Sequence, residues 1–245
     1  RNHSSAASDV YKRQVIAKTK SAWAQELTSL DHEDDDPGTT WNERARTREP
    51  GKMSPRMAWR AITSVLPKDA IISSDIGNNC AIGNAYPTFE EGRKYLAPGL
   101  FGPCGYGFPA ICGAKIAQPD VPVVGFAGDG AFGISMNEMV SVGRDEWPPI
   151  TMIIFRNYQW GAEKRNTTLW FDDNFVGTEL DTDVTYAGIA QQCGVKGVQV
   201  DGMDALAEAL DKAIEAQMKD KVTTFIEVVL NLSLIHISEP TRHRR

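Results

Sequence analysis

Residues 121–132 read Val121-Pro122-Val123-Val124-Gly125-Phe126-Ala127-Gly128-Asp129-Gly130-Ala131-Phe132, an apolar run that ends on an aspartate between two glycines. A strand at 121–127 with no polar alternation is buried on both faces, as in a parallel sheet covered by helices on each side. The turn at 128–132 opens a helix. Its two glycines let the backbone approach a ligand and aim N–H groups at it, and the helix N-terminus adds partial positive charge, so the turn is an anion site. A carboxylate fits such a site when a cation lies between it and the anion, and Mg²⁺ bridging Asp129 to a diphosphate satisfies both. A second oxygen ligand is expected from the next strand end. There, after 26 residues intervening from Gly130, stands Asn157, followed by Tyr158-Gln159-Trp160-Gly161. That interval holds one crossover helix and one strand, so Asp129 and Asn157 project from neighbouring strand ends, with a backbone carbonyl near Gln159 as a third ligand.

Outward from this stretch, strands and helices alternate. Helices are expected at 55–65, near 79–86, and at 108–117, 134–142, 184–193 and 205–219. Strands are expected at 70–74, near 94–97, and at 121–127, 150–155, 195–200 and 222–230, with an irregular, partly helical region after 155. The fold class is α/β, a doubly wound parallel sheet. In such sheets ligands sit beyond the carboxyl ends of the strands, which directs attention to the turns after Ser74, Ala127 and Phe155.

The chain has 245 residues, 42% apolar and 24% charged, a composition that excludes disordered and collagen-like classes. Its longest apolar stretches are strand-sized, so no membrane association is expected. The net charge of −6 argues against a nucleic-acid partner but leaves room for a small anionic ligand held by local donors. The four cysteines form no CxxC pair, which indicates reduced thiols and a cytoplasmic setting. His3, His236 and His243 lie near the ends and His32 in an acidic run, so the body of the chain offers no histidine for a triad. Residues 1–14 and 233–245 match no pattern in the rest and resemble translated adapter sequence; they are expected to be non-native tails. Residues 15–52 read as an amphipathic helix and a charged linker from a preceding domain, and 53–232 as the main domain.

The Gly128-Asp129-Gly130 turn and Asn157 together resemble the diphosphate-anchoring motif of thiamine diphosphate enzymes. The family usually shows Asn-Asn where this chain has Arg156-Asn157. The second Asn is the family's metal ligand, so the motif survives. Ser74-Asp75-Ile76-Gly77-Asn78-Asn79 resembles the place where the acetolactate synthase-like group holds the diphosphate, with Asn78 and Asn79 at the matching positions. Gly102-Pro103-Cys104-Gly105-Tyr106-Gly107 resembles the turn that cups the aminopyrimidine. By that match the Gly102 carbonyl accepts from the pyrimidine amino group, and Cys104 takes the position of the apolar residue that bends the cofactor into a V; a small buried hydrophobe is the plainer reading of this cysteine. The resemblance places Gly128, Asp129, Gly130, Ala131, Asn157 and Gly161 around the cofactor, and Asp129, Asn157 and Gln159 around Mg²⁺. Neither the glycine pattern of nicotinamide-binding proteins nor a P-loop is present.

Residues 73–107 and 155–181 resemble, within that family, the sulfoacetaldehyde acetyltransferases. The resemblance implies thiamine diphosphate and Mg²⁺ as cofactors, and conversion of sulfoacetaldehyde and phosphate to acetyl phosphate and sulfite through acetyl-thiamine diphosphate. The alternative is an acetolactate synthase-like carboligase acting on pyruvate or another 2-oxo acid. Glu163, six residues past Asn157, matches a glutamate near the reacting carbon in decarboxylases of the family and is the expected catalytic proton carrier; a solvated helix-start Glu fits equally. Lys164 and Arg165 are sulfonate or phosphate candidates, set against an exposed basic pair. Trp160 and Trp170 either exclude water from the site or simply pack. In this family the carboxylate that activates the pyrimidine comes from a separate N-terminal domain across a subunit interface. The chain is therefore expected to be a C-terminal third, inactive alone, of a homodimer or homotetramer.

Overall fold

The computed structural model describes residues 53–84, 86–87, 89 and 94–230. The expected tails, and the helix and linker at 15–52, lie outside these residues. Among the described residues six strands form one sheet: β1 (Ile71–Ser74), β2 (Tyr95–Leu96), β3 (Val123–Gly128), β4 (Thr151–Arg156), β5 (Lys196–Val200) and β6 (Thr224–Val229). Their spatial order is β2-β1-β3-β4-β6-β5, and every pairing is parallel. The expected doubly wound class is the observed one.

The sheet's central strands are apolar on both faces because both faces are covered. Ile72, Val124, Phe126, Ile153, Phe155, Ile226 and Val228 point into one core, closed by α1 (Pro55–Val65) and α8 (Met203–Glu215). Ile71, Val123, Ala127, Met152, Ile154 and Phe225 point into the other, closed by α3 (Gly107–Ala117) and α7 (Tyr186–Gln192). Local chemistry fixes the helix starts: Ser54 accepts from the Met57 N–H with Pro55 in the first turn of α1, and Thr185 accepts from the Gly188 N–H at α7. Remaining helices are α2 (Asn78–Gly83), α4 (Asp129–Ser135), α5 (Met139–Val142) and α6 (Gly161–Trp170). No described helix is long and apolar enough to cross a membrane.

Two helix boundaries differ most from the sequence expectation. The helix expected from Ile134 starts at Asp129 and breaks into a 3₁₀ turn at Met136–Glu138 before α5. Gly130 and Gly133 lower the intrinsic helix preference of its first turn. Packing overrides that: Phe132 is fully buried against Phe108, Tyr186 and Phe225. The helix expected to run to 219 ends at Glu215 and continues as a π-turn, Ala216–Asp220. That turn carries Gln217 under the sheet, where its amide donates to the Val123 carbonyl (2.8 Å) and accepts from the Val123 N–H (2.9 Å).

At Gly197, at the start of β5, a Cβ would sit 2.0 Å from the Ala187 carbonyl oxygen of α7. Main chain cannot yield as a side chain can. Gly197→Ala is expected to destabilise the fold by about 2–3 kcal/mol, measured as a lower urea midpoint with an unchanged slope.

Candidate functional site

The chain runs outward from β1 to β2, then returns across β1 to β3, so the strand order reverses between β1 and β3. Ligands of open α/β sheets bind at such a reversal, beyond the strand carboxyl ends. A cleft of about 190 Å³ lies there, lined by the turns after β1, β3 and β4. Asn78, Gly102, Cys104 and the run Gly128 to Ala131 line it. So do Asn157, Gln159, Gly161 and Glu163 from the other side. Asn79 is the second residue of α2. The cleft therefore gathers residues that are up to 175 positions apart in the chain, from Pro55 to Leu230. Helices α2, α4 and α6 all begin on lining residues, so three N-terminal partial positive charges converge on the space.

Asp129 is 1% exposed, and each of its oxygens is used differently. Oδ2 accepts from the Tyr158 N–H (2.6 Å), the Asn157 N–H (3.1 Å) and Arg156 Nη1 (3.3 Å). Oδ1 accepts from the Gly130 N–H (3.0 Å) and faces Asn157. Burial pushes the Asp129 carboxyl up to about 6, against the opposing pull of the Tyr158 N–H and the Arg156 charge. Asn157 Oδ1 lies 3.0 Å from Asp129 Oδ1 and 3.0 Å from the Gln159 carbonyl oxygen. Turned over, the amide would donate to both of those oxygens instead. Neighbouring ligands of an octahedral Mg²⁺ at 2.0–2.1 Å are about 2.9 Å apart, so the two 3.0 Å separations about the Asn157 oxygen fit an ion held between these groups, whereas without an ion the turned amide is the better-paired orientation.

The loop that carries two of these oxygens is held from outside. The Trp160 N–H donates to the Thr178 carbonyl (2.8 Å) and the Leu180 N–H to the Tyr158 carbonyl (2.9 Å), so 158–160 pairs with 178–180. Tyr158 adopts φ +59°, and its N–H meets Asp129 Oδ2. Glycines keep the cradle open. A Cβ on Gly130 would meet the Trp160 indole at 2.8 Å, and one on Gly161 would lie 3.0–3.1 Å from the Asn157 and Asn78 amides. Asn78 Nδ2 is buried without a hydrogen-bond partner, a donor that suits an anionic oxygen entering the cleft.

Cys104 is exposed on the cleft wall, not buried as a small hydrophobe. The left-handed glycines on either side of it, Gly102 (φ +59°) and Gly105 (φ +84°), turn the segment outward. Limited burial, with the Asp75 and Glu163 charges, raises its thiol pKa. Trp160 lines the cleft, whereas Trp170 is 77% exposed and is not a lining residue. Lys164 and Arg165 are not lining residues either: Lys164 pairs with Glu179 and lies 5.0 Å from the Phe175 ring centroid.

Three buried charges escaped the sequence reading. Asp75 is fully buried, and its carboxylate accepts from the N–H groups of Ile76 (2.9 Å), Gly105 (3.1 Å) and Gly107 (2.7 Å). It thus ties the turn after β1 to the Gly102–Gly107 turn. Arg156 and Glu227 form a buried pair beneath the cleft, with Arg156 Nε 3.5 Å from Glu227 Oε1. The available signal was a charge at the end of, or inside, an otherwise apolar strand.

A parallel doubly wound sheet whose switch-point cleft joins converging helix N-termini to a carboxylate, an amide and a carbonyl defines a diphosphate-cofactor-binding α/β domain. The profile of the family described as "Thiamine pyrophosphate enzyme, C-terminal TPP binding domain" matches residues 75–228, and the chain belongs to that family. A probable sulfoacetaldehyde acetyltransferase of Rhizobium meliloti (strain 1021) is 70% identical over 96% of this chain and 39% of its own length. A sulfoacetaldehyde acetyltransferase of Roseovarius nubinhibens is 71% identical over 94% of this chain and 38% of its own. The chain thus spans about two fifths of the length of these curated relatives. Among solved structures, the thiamine diphosphate-dependent 4-hydroxybenzoylformate decarboxylase of Rhodococcus jostii RHA1 matches with a TM-score of 0.67 at 23% identity, over 76% of this chain and 34% of that one. That likeness concerns the fold.

Proposed function

We propose that this chain is the cofactor-anchoring portion of a sulfoacetaldehyde acetyltransferase, which converts sulfoacetaldehyde and phosphate to acetyl phosphate and sulfite. The observation that carries the reading is identity of 70–71% to two proteins of that name along nearly the whole chain. The oxygen triad of Asp129, Asn157 and the Gln159 carbonyl supports Mg²⁺ as the ion that holds the diphosphate. The backbone N–H of Ala131 in the first turn of α4, with Asn78 Nδ2, suits the diphosphate oxygens. When bound, thiamine diphosphate supplies the nucleophilic carbon for the aldehyde. The Gly102 carbonyl and Cys104 stand on the opposite wall, where the cofactor's other ring is expected. Glu163, exposed on the rim in the first turn of α6, is placed to exchange a proton with a reacting group in the cleft.

Among the described residues, the charged lining side chains of the cleft, Asp129 and Glu163, are both acidic. Recognition of the anionic substrates therefore falls to the bound cofactor complex and to the rest of the intact protein. We assign the intact enzyme to the cytoplasm as a homodimer or homotetramer, with no nucleic-acid or membrane partner. The test joins this chain to the N-terminal portion of the Roseovarius relative and follows sulfite by thiol-disulfide colorimetry. Sulfite release that depends on both sulfoacetaldehyde and phosphate is the expected result. Pyruvate consumption without sulfite release would replace this reading with a carboligase.

A further inference from the structure

The loop that supplies the Asn157 and Gln159 oxygens takes its position from a neighbouring segment. Its main chain at 158–160 is paired with 178–180, and Gln159 and Glu179 form an antiparallel bridge. What fixes 178–180 lies further along the chain. There Thr185 caps α7, whose Ala187 and Ala190 are buried, and the Tyr186 hydroxyl donates to the Asp129 carbonyl (3.0 Å). Residues 181–184 join the paired segment to this anchored helix. Their conformation therefore sets where 178–180 stands, and with it the Gln159 carbonyl.

One side chain shapes that connection. Asp181 Oδ1 accepts from the N–H groups of Asp183 (2.6 Å) and Val184 (3.3 Å), which makes 181–184 an Asx turn. The turn brings the carbonyls of Asp181 and Val184 to one donor, and Arg156 Nη2 donates to both (3.0 Å to Val184). Arg156 is a fixed post at the end of β4. Its side chain is 3% exposed, its Nε faces Glu227 Oε1 at 3.5 Å, and the Tyr158 and Tyr186 rings lie 4.3 and 5.0 Å from its central carbon. The turn is thereby fastened to the strand from which Asn157 follows. Asp181 itself is exposed and is not a lining residue of the cleft. We infer that Asp181 is a positioning residue of the cofactor site: its turn presents two carbonyls to Arg156 and so holds the 178–180 segment that fixes the loop bearing the Asn157 and Gln159 oxygens. Its effect on cofactor affinity rests on the metal reading proposed above.

The test titrates thiamine diphosphate calorimetrically, at saturating Mg²⁺, into the joined full-length enzyme, and follows amide hydrogen exchange in the cofactor-free protein. Asp181→Ala is expected to weaken cofactor binding about tenfold, as the loss of a group supporting metal ligands does, while the melting temperature stays near that of wild type. Asp181→Glu keeps the charge on a side chain too long for this turn. It is expected to behave as the Ala variant does, and it replaces that variant should Ala fail to fold. Asp181→Asn, whose amide oxygen can accept the same two N–H groups, is expected to stay within about threefold of wild type. In the Ala and Glu variants the Trp160 and Leu180 amides, which pair 158–160 with 178–180, are expected to exchange about tenfold faster while β3 and β4 keep their protection. Wild-type affinity in Asp181→Ala, an equal loss in Asp181→Asn, or unchanged exchange at Trp160 and Leu180 overturns the inference. Wild-type cofactor binding that survives removal of divalent ions overturns the metal reading instead, and the exchange comparison then still decides whether Asp181 holds the loop.

Discussion

Asp129→Ala is expected to raise the dissociation constant for thiamine diphosphate in the presence of Mg²⁺ by about a hundredfold or more. The side chain supplies Oδ1 to the oxygen triad and uses Oδ2 to hold the loop bearing the other two members. On the proposed metal reading, removing it deletes one ligand and releases two. It also strips Arg156 of a buried counter-charge, a class of change that costs about 3–5 kcal/mol. Loss of binding must therefore be separated from loss of fold. Asp129→Asn keeps the shape and one acceptor, and is expected to fold while still binding the cofactor far more weakly. Calorimetric titration in the full-length protein, alongside a thermal melt, reads both quantities. Wild-type affinity in a folded Asp129→Asn variant would remove Asp129 from the metal site.

The second large effect is structural and lies on the opposite wall. Asp75→Ala leaves the N–H groups of Ile76, Gly105 and Gly107 without their acceptor. Each unpaired donor in a dry setting costs about 1–3 kcal/mol, and partial rewetting of the exposed turn brings the expected loss to about 3–5 kcal/mol in urea unfolding. The same change should disorder the Gly102–Gly107 turn and weaken cofactor binding even at temperatures where the variant is folded. Burial raises the Asp75 carboxyl above its ordinary 3.8 despite the N–H donors. The folded chain then holds this proton more tightly than the unfolded chain. The group's stabilising contribution is full below 3.8 and declines as pH rises through the raised value. In Asp75→Ala that part of the acid-range slope should vanish, which equilibrium unfolding at a series of pH values would read.

The sheet was legible because its strands are uninterrupted apolar runs, such as Met152 to Phe155, between helices of clear periodicity. The candidate site was legible because a glycine-flanked aspartate and an asparagine one crossover away land on adjacent strand ends. What stayed hidden depends on three-dimensional pairing. Nothing in the order of residues says that Asp75 reaches the N–H groups of a turn 30 residues on, or that Glu227, inside Thr-Phe-Ile-Glu-Val-Val, meets Arg156. Arg156 read as a harmless neighbour of Asn157, yet it touches Asp129, the other proposed ligand. The early start of α4 was missed because glycine penalises a helix in isolation, while Phe132 secures it through contacts that no local window contains.

Among the described residues, the cleft's lining contains acidic side chains and no basic ones. A diphosphate entering alone would find main-chain dipoles but no side-chain cation, and a divalent ion entering alone would find few fixed charges to neutralise it. Each becomes a good ligand in the company of the other, so the two occupancies are thermodynamically linked and arrival is in effect that of a charge-compensated pair. Such a site would respond steeply to free divalent ion. Its response to monovalent salt would be weak, because the attraction is short-range and shielded by protein instead of spread across a surface.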